Sequence, residues 1–135
     1  MSETEAQFSS WVEDALTLYG WRWYHSRPAR TARGWVTALS GSPGFPDIVA
    51  VRDAEVIFAE LKTEKGRLGE EQKQWLGAFN NASYQRSGAF GVYVWRPSDR
   101  ERILEILGPE GHQDCLSPPP PRRRRTRAEL AREIR

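Results

Sequence analysis

Apolar positions recur at three- and four-residue spacing from Phe8 through Trp11, Val12, Ala15 and Leu16 to Tyr19, the stripe of an amphipathic helix over about residues 4–19. Thr4 with Gln7 three residues on has the form of a capping box, and Gly20 suits the helix stop. The run Trp21-Arg22-Trp23-Tyr24-His25 is apolar and aromatic and reads as a strand. From Ser26 to Gly44 the pattern is lost among Pro, Ser and Gly with Arg27, Arg30 and Arg33, which predicts a long loop or an irregular edge.

The centre is clearer. Ile48–Val51 and Val56–Ala59 are β-rich runs on either side of Arg52-Asp53-Ala54-Glu55, a hairpin pattern. Both runs are apolar at successive positions, which predicts cover on both faces of these strands. Lys65-Gly66-Arg67 makes a flexible connection to a second helix from about Gly69, with Trp75, Leu76 and Phe79 turned inward. Phe90–Trp95 is a third strong strand, ended by Arg96-Pro97. Ser98-Asp99-Arg100-Glu101 then opens a last helix as a capping box, with Ile103, Ile106 and Leu107 inward. The order helix, strand, hairpin, helix, strand, helix is that of a mixed α/β domain over residues 1–111. Residues 112–135 form a different kind of sequence, a tail in which Pro118–Pro121 favours an extended conformation and Arg122–Arg125 resists compaction.

Composition removes several classes. At 135 residues the chain suits one domain. No apolar run approaches the roughly 18 residues that span a bilayer, and the N-terminus has no signal-peptide pattern. Cys115 stands alone, so neither an internal disulfide nor a Cys/His zinc site is expected. The net charge of +2 hides an asymmetry: residues 1–111 carry 13 Lys and Arg against 15 Asp and Glu, whereas residues 112–135 carry 7 Arg against 3 acids.

Polar residues interrupt the hairpin where burial should forbid them. With Asp53-Ala54 as a two-residue turn, Arg52 faces Glu55 and, counting back, Asp47 faces Glu60. Directly opposed Cβ atoms lie roughly 4.5–5.5 Å apart, and Lys62, two residues after Glu60, points to the same face. Two carboxylates so close repel unless a cation sits between them or one stays protonated. A hard divalent ion fits, since Mg²⁺ takes one or two carboxylates plus water and phosphate oxygens. Taken singly, Asp47 also suits a turn after Pro46, and Glu60 and Lys62 a solvated strand end. All three together are harder to place that way.

The string Gly44-Phe45-Pro46-Asp47-Ile48-Val49-Ala50-Val51, Glu60-Leu61-Lys62 thirteen residues after Asp47, and Gln72 on the following helix resemble the PD-(D/E)xK nuclease superfamily, and most of all its small stand-alone VRR-NUC type, related to Holliday junction resolvases. The resemblance covers about residues 3–107 and takes in the Tyr24-His25 pair and the closing Val94-Trp95-Arg96-Pro97. It implies a restriction-endonuclease-like fold, a mixed β-sheet core flanked by helices, with the basic C-terminal tail outside it. It implies an endonuclease that hydrolyses DNA with Mg²⁺, or Mn²⁺ in its place. Asp47, Glu60 and the Leu61 carbonyl would hold the metal, Lys62 would be the catalytic lysine, and Gln72 would point to the metal or the scissile phosphate. Glu5 is the match for an acidic residue on the first helix, at a position that shares the face of Phe8 and Val12; Glu3 competes with it. Gly69 departs from the pattern, standing where a Ser or Thr N-cap is usual.

DNA is the expected partner, with no membrane, in a cytoplasmic protein of bacterial or phage type acting in repair or recombination. Resolvase-like nucleases also bring the option of a homodimer and of preference for branched, flap or junction DNA. His25 is a candidate for substrate contact or a general base, with a hydrogen-bonded strand histidine as the alternative. Candidate phosphate contacts are Arg27, Arg30, Arg33, Lys65 and Arg67 around the site and Arg122, Arg123, Arg124 and Arg125 in the tail. A catalytically silent binding or assembly module is the competing reading, and RNA the competing substrate.

Overall fold

A computed structural model describes residues 3–26, 29–32, 34–36, 40–109 and Ala128. The chain runs α1 (Glu5–Leu18), β1 (Arg22–His25), β2 (Ala29–Thr31), β3 (Gly34–Val36), β4 (Ile48–Arg52), β5 (Glu55–Leu61), α2 (Glu70–Gln85), β6 (Gly91–Trp95), a 3₁₀ turn (Pro97–Asp99) and α3 (Arg100–Leu107). Four strands form one mixed sheet in the order β1-β4-β5-β6. β1, β4 and β5 are antiparallel neighbours, and β6 joins β5 in parallel after the α2 crossover. Helices flank this sheet, the architecture the motifs imply.

The first helix begins as its sequence dictates. Thr4 Oγ1 accepts from Gln7 N–H at 3.1 Å while Gln7 Oε1 accepts from Thr4 N–H at 2.9 Å. Gly20, at φ 79°, turns the chain into β1. Phe8, Val12, Ala15 and Leu16 of α1, with Ile103 and Leu107 of α3, bury one sheet face made of Ile48, Ala50, Ile57, Ala59, Leu61, Tyr93 and Trp95. The other face is covered at β6 by α2, through Leu76, Val92 and Val94 with Phe79 and Phe90 packed against them.

Three sequence expectations change. Residues 29–36, read as loop, hold the two-stranded hairpin β2–β3, a pairing too short to leave a periodic signal. Ser98 is not the cap of the last helix: Asp99 precedes α3, and its Oδ2 accepts from Arg96 N–H at 2.9 Å to close a 3₁₀ turn first. β4 is not covered on both faces, because Val51 remains 39% exposed. The tail beyond residue 109, Ala128 apart, lies outside the described residues, as do Arg27, Arg33 and Arg122–Arg125; Arg30 lies on β2 opposite Trp35.

One side chain ties the ends of three elements together. Arg52, at the end of β4, donates through Nη1 to Tyr19 O at 3.0 Å and Leu107 O at 2.7 Å, and through Nη2 to Gly108 O at 3.0 Å. Its guanidinium lies 4.4 Å over the Trp21 ring, whose Nε1–H also donates to Leu107 O at 2.9 Å. The carbonyls at the ends of α1 and α3 are thus satisfied by one planar cation. Arg52→Ala is expected to cost about 2–4 kcal/mol, as three charge-assisted bonds and a cation–π contact disappear. Arg52→Lys, with one compact ammonium, should recover less than half of that in urea unfolding.

Candidate active site

The site grows from the hairpin register. Asp53, at φ 52°, and Ala54 make the turn, so Arg52 faces Glu55 and Ile48 faces Ala59. One step further along lie Asp47 and Glu60. Asp47 N–H donates to Glu60 Oε2 at 3.2 Å, and Asp47 Oδ2 accepts from Leu61 N–H at 2.9 Å. This is the register a two-residue turn dictates.

Glu60 is only 1% exposed. Its Oε1 accepts from Gln72 Nε2 at 2.7 Å and lies 3.6 Å from Lys62 Nζ. Gln72 sits in the first turn of α2, where its Oε1 also accepts from Gly69 N–H at 2.8 Å. The same amide therefore caps the helix start and presents its NH₂ to the carboxylate. Gly69 supplies no capping side chain, and Gln72 supplies the reciprocal half of the cap instead.

The loop carrying Asp47 is pressed against that helix start. Gly44 has φ 92°, and a Cβ there would stand 2.5 Å from the Glu71 carbonyl carbon and 2.8 Å from Gln72 N. Only glycine meets both demands. Phe45 then packs edge-on against Trp75 at 5.2 Å, Phe79 at 5.8 Å and Phe58 at 6.2 Å between centroids. On the other side of the site, Lys62 N–H donates to Trp95 O at 3.0 Å, extending the parallel ladder. Arg96 holds the loop after Lys62 through Nη1 to Thr63 O at 2.6 Å and Gly66 O at 2.7 Å.

The structure brings Asp47, Glu60, Lys62 and Gln72 together and places other candidates elsewhere. The burial expected for Glu5 is corrected: it opens α1 with its side chain exposed, because the stripe of buried residues begins only at Phe8. Glu3 is engaged by Arg100, whose guanidinium also lies over the Phe8 and Trp11 rings. His25 agrees with the second of its two readings, the hydrogen-bonded strand histidine. Strand alternation puts it beside Ile48 on the α1 face, away from the two carboxylates, and its Nδ1 meets Glu13 Oε2 at 2.8 Å. Lys65 and Arg67 are exposed in the loop after Lys62. Glu13 and Arg96 were missed as partners by the sequence reading. A cation directly after five apolar strand residues was a signal for Arg96; Glu13 gives none, since only the helix–strand packing brings His25 to it.

Asp47, Glu60 and the Leu61 carbonyl are hard oxygen donors of the kind Mg²⁺ takes. Among the described residues no group of three or more His, Cys, Asp or Glu side chains stands together. The donor set is therefore small, and most of a cation's coordination places would fall to water and phosphate. Lys62 compensates the charge of the carboxylate pair only in part. Burial, and then the charge of Asp47, push the Glu60 carboxyl from 4.5 up to about 8, against the smaller opposing pull of Lys62.

A carboxyl whose affinity for protons rises on folding favours the folded state at low pH. That benefit is lost as pH climbs from 4.5, the ordinary value, through about 8. At pH 7 the cost is on the order of 3 kcal/mol. In chelator, thermal unfolding of the chain should therefore move to lower temperature between about pH 6 and pH 8.5, and Glu60→Gln should flatten this dependence and melt higher at the alkaline end. Identical slopes for both proteins would show that Glu60 is not the strained group.

The family model of the VRR-NUC domain matches residues 2–93, which include all four of the gathered site residues. A comparison with curated proteins found no match. The match spans more than half of the 135 residues, and the four-stranded mixed sheet flanked by helices agrees with it. The chain belongs to the VRR-NUC domain family, nucleases of the PD-(D/E)xK type.

Proposed function

We propose that the chain is a Mg²⁺-dependent DNA endonuclease that prefers branched, flap or junction substrates, with Asp47, Glu60 and the Leu61 carbonyl as metal ligands and Lys62 as the catalytic lysine. One observation carries this reading: the half-buried Asp47 beside the buried Glu60, with Lys62 Nζ 3.6 Å from Glu60 Oε1. A divalent cation held there supplies charge neutralisation of the phosphodiester and a more acidic water.

The protein's own groups do the rest. Gln72 holds Glu60 in one orientation through its Nε2 donor, on the same Oε1 that faces the Lys62 ammonium. Lys62 is fixed at its main chain by Trp95 and keeps its ammonium beside the carboxylates. From there it orients the attacking water or stabilises charge growing on the phosphate oxygens. In the reaction the water oxygen bonds to phosphorus as the bond to the leaving oxygen breaks, and the leaving oxygen takes up a proton. Lys65 and Arg67, exposed just beyond Lys62, offer phosphate contacts that offset the acidic excess of residues 1–111.

Linear, flap, three-way and four-way DNA, each with an RNA counterpart, should be cleaved as DNA alone and only with Mg²⁺ or Mn²⁺ present. Asp47→Asn, Glu60→Gln and Lys62→Ala should each lower turnover about 10²-fold or more with the fold retained by circular dichroism. Undiminished cleavage by Lys62→Ala would remove the mechanism, and preferential cleavage of RNA would reassign the substrate.

A further inference from the structure

The face of the sheet that carries Asp47 and Glu60 is covered unevenly. Register sets its rows: Arg22 with Val51 and Val56, then Tyr24 with Val49, Phe58 and Val92, then Asp47 and Glu60 with Val94. Val92 and Val94, on β6, are 2% and 5% exposed. Towards the other edge, Val51 is 39% and Tyr24 68% exposed, and Arg22 is exposed beside them. The cause is width. One helix with its side chains is about 10–12 Å across and strands lie about 4.8 Å apart, so one helix covers about two strands. The opposite face has both α1 and α3; this face has α2, whose Phe79 stacks on Phe58 of β5 at 4.1 Å. Among the described residues no helix lies over β4 and β1 on this face.

This open strip runs directly into the active site. Tyr24 opposes Val49, and Asp47 lies two residues from Val49 on the same face, so Tyr24 and Asp47 are diagonal neighbours about 7–8 Å apart. Arg22 stands one strand repeat beyond Tyr24, about 6.7 Å along β1. A phosphodiester positioned for hydrolysis at Asp47 and Glu60 thus has an exposed aromatic ring as its neighbour and a guanidinium one step further out.

We propose that this strip of β1 and β4 seats unpaired nucleotides of the DNA beside the scissile phosphate, with a nucleobase stacked on Tyr24 and the backbone met by Arg22. The proposal rests on the nuclease reading above and gives it a specificity element. In a duplex the base faces are occupied by their neighbours, so an isolated ring gains nothing from them; an unpaired base offers its π-face, worth about 1–3 kcal/mol on an aromatic side chain. Val49 and Val51 provide the apolar floor, and Arg22 the complementary charge. The strip therefore selects flaps, tails and branch points over continuous duplex.

The test uses the full chain in chelator, so that binding is read without cleavage. Fluorescence anisotropy compares a blunt duplex with the same duplex carrying a single-stranded tail. The parent chain should prefer the tailed DNA. Tyr24→Ala should weaken binding to it about 10-fold and leave the blunt duplex within about twofold, while Tyr24→Trp keeps the preference. Arg22→Gln should weaken both and reduce the salt slope by about one. A 5-iododeoxyuridine at the branch point should photo-crosslink to Tyr24. No tail preference in the parent chain, or an equal loss on both DNAs in Tyr24→Ala, overturns the proposal. So does a dimer that Tyr24→Ala converts to monomer in sedimentation, which would give the strip to a second copy. Cleavage with Mg²⁺ is scored separately: selective loss of tail binding in a chain that never cleaves would keep the platform and reject the nuclease reading.

Discussion

Two carboxylates held side by side, one of them sealed from water, set the terms for the rest of this structure. Asp47 and Glu60 meet because the register set by the two-residue turn, with Ile48 opposite Ala59, continues one step to them. Left alone they would repel and open the end of the hairpin. Donors on three sides prevent this: the Asp47 and Leu61 main-chain N–H groups, the Gln72 amide and, at longer range, the Lys62 ammonium. They do not neutralise the pair, and Glu60 keeps a proton far more readily than an ordinary glutamate. The tension is local and only partly relieved by the Lys62 charge.

A strained pair needs rigid surroundings, and the chain concentrates its most specific contacts there. Gly44 lets the Asp47 loop lie against the first turn of α2 at a separation no side chain permits. That contact fixes where α2 starts, and hence where Gln72 reaches Glu60. Arg96 clamps the loop that leaves Lys62, and Arg52 fastens the far end of β4 to the ends of α1 and α3. Both arginines use main-chain carbonyls as acceptors, so they position backbone without adding charge pairs near the carboxylates.

Much of this was legible in the sequence, and the failures have physical reasons. Register was legible with Asp53-Ala54 as a two-residue turn, since the pairings from Arg52–Glu55 back towards Asp47 and Glu60 follow from it, and the strands carry no bulge to shift them. Helix α1 was legible because Thr4 and Gln7 interact within one turn. What failed depended on contacts between distant segments. Glu5 looked buried by periodicity, yet the helix leaves the sheet before it reaches that turn. His25 stood between substrate contact and a hydrogen-bonded strand histidine, and only the helix–strand interface supplies its partner, Glu13. Ser98 lost its capping role to Asp99 once Pro97 forced a 3₁₀ turn. The apolar runs of the hairpin said that both faces were hydrophobic; they could not say how many helices would be available to cover them.

That last point links architecture to chemistry. α2 must begin beside Glu60 to lend Gln72, and it must cross from β5 to β6 as the connection of a parallel pair. Both demands hold it over the same two strands. Among the described residues no helix is then left for the half of the sheet next to Asp47, and valines there remain partly in water, a cost of about 25 cal/mol for each Å² left exposed. A fold under no other constraint would shift a helix by one strand to remove that cost. Here the shift would carry Gln72 away from the carboxylate. The exposed Tyr24 and Val51 are thus the counterpart of the buried Glu60: one helix position produces both, because the helix that would cover this strip is already in use.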